Sequence, residues 1–156
     1  MILNLKRNKG MKSLFILLVL NMYCCGMCVF AQEQKTTQEL LTSTKWEPQD
    51  FFAKGNYGYV KYTETEYFTK MNIDGELRIF NYRYYLSSTQ DTEFDSNKIG
   101  KNKNGKYIIT STPKGYYVFI SEILELTDTK LVIRDLTPGS SIMGKKTTYL
   151  KTDMDF

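Results

Sequence analysis

The segment Gly115-Tyr-Tyr-Val-Phe-Ile-Ser-Glu-Ile-Leu-Glu-Leu-Thr-Asp-Thr-Lys-Leu-Val-Ile-Arg-Asp-Leu136 decides the fold. It reads as two strands, 116–126 and 130–136, joined at the polar turn Thr127-Asp128-Thr129. The first strand opens with five apolar or aromatic residues in a row, Tyr116 to Ile120, so both of its faces need cover. Successive strand side chains alternate, which puts Tyr117, Phe119 and Ile123 on one face and Tyr116, Val118 and Ile120 on the other. In a closed barrel one face looks inward and the other lies under the N-terminal helix or a neighbouring loop. A two-sheet sandwich would cover such a strand the same way, but short successive hairpins favour the barrel.

The same pattern runs outward from this segment. From Trp46 the chain is rich in Tyr, Phe, Ile, Val and Thr, punctuated by Gly, Asn-Gly and Asp-Gly, as strands and hairpins are. The remaining strands fall near 44–52, 57–63, 66–73, 76–87, 106–111 and 146–152, which gives an all-β chain of eight strands in antiparallel, up-and-down order. Asp74-Gly75 and Asn104-Gly105 suit two-residue hairpins, and Pro113-Lys114-Gly115 suits a type II turn. Within 76–87 the apolar phase shifts from Leu77 and Ile79 to Phe80, Tyr82, Tyr84 and Leu86, which predicts a β-bulge near Phe80-Asn81. One short helical turn precedes the strands at Thr37-Gln-Glu-Leu-Leu-Thr, with Thr37 as its N-cap.

The N-terminal segment reads differently. Lys6, Arg7, Lys9 and Lys12 precede the apolar run Leu14 to Leu20, and Val29-Phe30-Ala31 ends the segment, as in a secretory signal peptide cleaved between Ala31 and Gln32. This divides the chain into a leader, 1–31, and one barrel domain, 32–156, with Met11 as an alternative start. The competing readings are an uncleaved anchor over 13–31 and a lipoprotein attached through Cys24, Cys25 or Cys28. Tyr23, Cys24 and Met27 stand where a lipobox wants a small residue, so export to the periplasm or beyond, without anchoring, is expected.

All three cysteines lie in the leader, which excludes a disulfide framework from the domain. Four of the 21 basic residues lie there too, so 17 basic residues face 17 acidic ones in the remainder. A neutral chain offers neither nucleic acid nor anionic membranes a field to bind.

The chain has no histidine, which with the cysteine placement removes Ser-His-Asp and Cys-His catalysis and the common zinc sites. Glu122 and Glu125 are an odd number apart and are expected on opposite faces of one strand. Asp91, Glu93 and Asp95 resemble the first half of a calcium loop, but Ser96 stands where that loop needs Gly and Asn102 where it needs Glu. Lys98, Lys101, Lys103 and Lys106 around Asn104-Gly105 read as a solvated turn. Neither a metal, a cofactor nor an enzymatic reaction is expected.

Trp46 soon after a short helical turn, the run of antiparallel hairpins and Ile123-x-x-Leu126-Thr-Asp-Thr-Lys-Leu131-Val-Ile133 together resemble exported bacterial lipocalin-like proteins. The loop from Phe94 to Tyr107 is similar to one seen in them, whereas the lipocalin Gly-x-Trp signature has its glycine replaced by Thr44. The resemblance implies a barrel of about eight strands, packed solid or holding one small ligand, and it implies no reaction.

The expected function is therefore that of an exported binding protein with a small, largely apolar or amphipathic ligand in the barrel mouth. The expected lining is Tyr67, Met71, Tyr82, Tyr84, Tyr117, Phe119, Leu131 and Ile133, with Trp46 closing the base. Tyrosines suit such a site because they offer ring faces and polar tips. The alternative is a protein interaction or inhibitor module with a solid barrel, meeting its partner through loops 48–56, 88–105 and 137–145.

Overall fold

A computed structural model of the chain describes residues 34–49 and 58–155. The expected leader and most of the 48–56 loop lie outside the described residues. The domain is all-β, a closed barrel of eight antiparallel strands in sequence order. Helix α1 (Thr37–Thr42) leads into β1 (Lys45–Pro48), β2 (Tyr59–Tyr62), β3 (Glu66–Ile73) and β4 (Glu76–Ser87). A 3-10 turn (Ser96–Lys98) precedes β5 (Tyr107–Ser111), β6 (Val118–Leu126), β7 (Lys130–Asp135) and β8 (Lys146–Thr152). Pairing of β8 with β1, from Lys45↔Thr152 to Pro48↔Tyr149, closes the sheet into a barrel.

The register explains the apolar shift in β4 without a bulge. β3 and β4 pair continuously from Glu66↔Arg83 to Ile73↔Glu76, so Tyr82, Tyr84 and Leu86 share the inner face while Leu77 and Ile79 point outward, 65% and 55% exposed. The bulge lies in β6 instead, between Ile123 and Glu125 against β7. Its extra residue restores Leu126 to the inner face opposite Leu131. It also puts Glu122 and Glu125 on the same, outer face, contrary to their odd spacing, each opposite an outward residue of β7, Arg134 and Val132.

Three local expectations also change. Asp74 and Gly75 take positive φ (54° and 87°), as a tight hairpin needs, but Gly105 does not. Gly105 is instead packed against strand β4, where a Cβ would meet the Ser87 nitrogen and oxygen at 2.8 Å, and Asn104 Oδ1 accepts the Thr37 N–H. At Pro113-Lys114-Gly115 the positive φ falls on Gly115, one position past the place a type II turn requires. The N-cap of α1 is Thr36, one residue early, because Glu39 completes a capping box with it: Thr36 Oγ1 accepts the Glu39 N–H at 3.2 Å and Glu39 Oε2 accepts the Thr36 N–H at 2.7 Å.

α1 seals one end of the barrel. The Gln38 N–H donates to the Lys103 carbonyl, Gln38 Nε2 donates to the Glu64 carbonyl at 2.7 Å, and Lys35 reaches Asp128 at 2.7 Å. Beneath it Leu41, Trp46, Val60, Tyr84, Leu86 and Leu131 form the inner core, all within 2% of full burial. Each such side chain contributes about 1.5–3 kcal/mol by leaving water.

Only Val118 to Ile120 of the five-residue apolar run enters the sheet; Tyr116 and Tyr117 stand in the turn before it, 76% and 67% exposed. Phe119 looks inward, while Ile120 packs outside the sheet with Tyr85 and Ile109 under Phe94, Val118 and Leu136. The cover is the 88–106 loop rather than the helix. Asp91 pins that loop by accepting from Tyr85, Ser87, Thr89 and Lys98, the last at 2.8 Å.

Candidate functional site

The end of the barrel opposite α1 is open and holds a cavity of about 170 Å³. Strand parity builds its wall. Tyr67, Thr69 and Met71 alternate inward along β3, and Tyr82 stands opposite Tyr67 on β4. Ile108 and Thr110 come from β5, Phe119 and Ser121 from β6, Ile133 and Asp135 from β7, and Tyr149 from β8. Tyr62 forms part of the floor, and Ser140 reaches in from the β7–β8 loop.

An aromatic chain rings the inside of the barrel. Ring centroids of Tyr62 and Tyr67 are 5.2 Å apart, those of Tyr67 and Tyr82 5.4 Å, and Tyr82 meets Phe119 edge-on at 6.0 Å. Such pairs add about 0.5–1.5 kcal/mol each beyond burial and fix the ring planes. Burial raises the Tyr62 hydroxyl well above its ordinary range, with Tyr67, Tyr149 and Tyr84 adding to the effect, and it raises Tyr82 as well. The phenols therefore present neutral polar tips.

Thr69, Thr110, Ser121, Asp135 and Ser140 interrupt the apolar wall, and two of these polar groups bear on binding. Thr69 is 4% exposed, and among the described residues its Oγ1 has no hydrogen-bond partner. A buried hydroxyl left unpaired costs about 1–3 kcal/mol, so this atom marks a place where a bound group would be rewarded. Asp135 is the other, and its carboxylate is held in place by Thr137, whose N–H donates to Oδ1 at 3.1 Å and whose hydroxyl donates to Oδ2 at 3.2 Å.

Of the residues expected to line the site, the structure brings five together on this wall: Tyr67, Met71, Tyr82, Phe119 and Ile133. Tyr84 and Leu131 lie deeper, in the packed core, where the Tyr84 hydroxyl donates to the Thr63 carbonyl at 2.7 Å. Trp46 is also fully buried below the cavity and donates Nε1 to the Leu41 carbonyl. Tyr117 is apart from all of these, because β6 starts at Val118 and leaves it in the turn, 67% exposed.

Sequence reasoning missed Thr69, Thr110, Ser121 and Asp135. Parity carried the signal for Thr69, between Tyr67 and Met71, for Ser121, two residues past Phe119, and for Asp135, two past Ile133. Tyr149 depended on the β7–β8 register, Leu131↔Tyr149, which no motif announces.

The other candidate groups serve the fold. Glu122 pairs with Lys106 at 2.7 Å and Arg134 at 3.7 Å, and Glu125 with Lys130 at 2.8 Å, all on the outer surface. Asp95 accepts the Asn97 N–H and caps the 3-10 turn. Among the described residues no helix is long and apolar enough to cross a membrane.

No family model, curated protein or solved structure matches this chain.

Proposed function

We propose that this protein is an exported, lipocalin-like binding protein that holds one small, largely apolar ligand in the mouth of its barrel. The observation that carries the reading is the mouth cavity, sealed below by α1 and Trp46, ringed by Tyr67, Tyr82 and Phe119, and bearing the unpartnered Thr69 hydroxyl. Its volume of about 170 Å³ sets the ligand's size. A dry cavity of about 150 Å³ accepts benzene, whereas drug-sized ligands need about 300 Å³ or more. The ligand is therefore the size of one ring with a short substituent, or a larger molecule whose remainder projects from the mouth.

The absence of histidine from the chain and the use of Glu122 and Glu125 in surface ion pairs support binding rather than catalysis. Export rests on the leader pattern of residues 1–31. Non-denaturing mass spectrometry of the protein recovered from its export compartment tests both parts. The expected result is a chain beginning at Gln32 and carrying a single small adduct. A protein retained with its leader contradicts export, and one that takes up no small molecule contradicts carriage.

A second reading, a protein interaction module, is favoured by one observation. Leu77, Ile79, Tyr116 and Tyr117, each between 55% and 76% exposed, sit on the β3–β4 and β5–β6 hairpins at the mouth end. A partner protein that binds there and is lost on replacing Leu77 and Ile79 by Ser would support it.

A further inference from the structure

We propose that the ligand's polar end is a cation: a protonated amine carried on an apolar body about the size of one aromatic ring. This rests on the binding reading above and names the chemistry of the occupant.

Among the described residues that line the cavity, Asp135 alone carries a formal charge. Thr137 donates one hydrogen bond to each of its oxygens, and Thr137 Oγ1 in turn accepts the Ile120 N–H at 3.0 Å. The carboxylate is thus fixed in orientation, yet each oxygen retains a lone pair for a further donor. Among the described residues no side-chain cation supplies that donor. Its strand neighbour Arg134 turns to the outer face and approaches Glu122, Arg78 is engaged with Glu76 at 3.0 Å, and Lys70 donates to the Asp155 carbonyl.

The rest of the wall agrees in sign. The faces of aromatic rings are electronegative and attract cations, most strongly where water is excluded, and Tyr62, Tyr67, Tyr82, Phe119 and Tyr149 line this cavity. The Thr69 oxygen is a further acceptor for an ammonium N–H. A carboxylate ligand would meet Asp135 with no compensating cation on the described wall, and a purely apolar one would desolvate that carboxylate without replacing its lost water.

Titration calorimetry of the protein with three probes of one shape tests this: 2-phenylethylamine, 2-phenylethanol and 3-phenylpropanoate. The amine is expected to bind about tenfold more tightly than the alcohol or better, with the carboxylate weakest. Added salt weakens the amine and leaves the alcohol unchanged. Asp135→Asn removes the amine's advantage and holds alcohol affinity within about twofold. An alcohol that binds the parent protein as tightly as the amine overturns the cation inference while leaving the binding reading standing. An amine advantage that survives Asp135→Asn overturns the role of that carboxylate. Failure of all three probes overturns both readings. The probe comparison and the salt dependence need only the parent protein, so they decide the matter even if the variant does not fold.

Discussion

The indole Nε1 of Trp46 donates a 3.0 Å hydrogen bond to the carbonyl of Leu41, and neither residue is exposed to solvent. That carbonyl lies in the last turn of α1, where a helix has no partner of its own to offer. One side chain thus ties the sealing helix to the first strand and fills the floor of the barrel. Trp46→Phe keeps most of the packing but strands the buried carbonyl, which is expected to cost about 1–3 kcal/mol. Trp46→Ala is expected to cost about 3–5 kcal/mol. Urea unfolding followed by far-UV circular dichroism measures both; a Trp46→Phe variant as stable as the parent would mean that the hydrogen bond is immaterial.

Tyr84 separates floor from wall. It is 1% exposed and lies in the packed core, whereas Tyr82, two residues earlier on the same face, borders the cavity. Tyr84→Phe removes the donor to the Thr63 carbonyl and is expected to cost about 1 kcal/mol; Tyr84→Ala is expected to cost about 3–5 kcal/mol. Tyr82→Ala is expected to cost less and to weaken probe binding, because one side of that ring already lacks contacts. Denaturant midpoints and probe affinities of the three variants check the assignment.

Gly58 lies where no side chain fits. A Cβ there would stand 1.4 Å from the Lys70 carbonyl oxygen, and backbone cannot swing aside as a side-chain tip can. Gly58→Ala is expected to force β2 away from β3 and to cost about 1–3 kcal/mol or more. Gly75→Ala meets no atom within 4 Å and carries only the strain of its 87° φ, expected at about 1 kcal/mol. Thermal unfolding of the pair ranks them, and the reverse order would contradict the β2–β3 geometry.

The outer loop should fail in acid. The hydrogen bond from Lys98 holds the Asp91 carboxyl down at about 2, from an ordinary 3.8. A folded value below the unfolded one means that the carboxylate stabilises the fold above the unfolded value, and that this contribution fades as pH falls from about 4 through about 2. Asp91→Asn is therefore expected to be less stable than the parent at neutral pH, with the gap narrowing between pH 4 and 2. Chemical denaturation across that range measures the gap, and a constant difference would contradict the pairing.

The strands were readable because alternation and turn residues are local. Seven of the eight expected spans match the observed strands to within two residues at both ends; β1 alone is shorter, ending at Pro48 beside residues 50–57. The bulge was misplaced because an apolar phase change in one strand has two causes, an inserted residue or an exposed outer face. Only pairing across to β3 distinguishes them, and there Leu77 and Ile79 proved to be simply exposed. The large aromatics of the cavity were visible for the same reason that they are ambiguous: Tyr82 and Tyr84 share one face, and depth along the barrel axis, which decides wall or floor, is set by strand stagger. Asp135 escaped notice because a single acid at a strand end reads as a solvated turn until the sheet closes.

The most direct test is to fill the cavity. Ser121 is a small residue on its wall, and Ser121→Phe places a ring in the space that Tyr67, Tyr82 and Phe119 surround. Titration of the parent protein and of this variant with 2-phenylethanol is expected to give saturable, one-to-one binding by the parent and none by the variant, whose unfolding midpoint stays near the parent's. A parent that binds no probe, or a variant that binds as well as the parent, would contradict a ligand site in the barrel mouth.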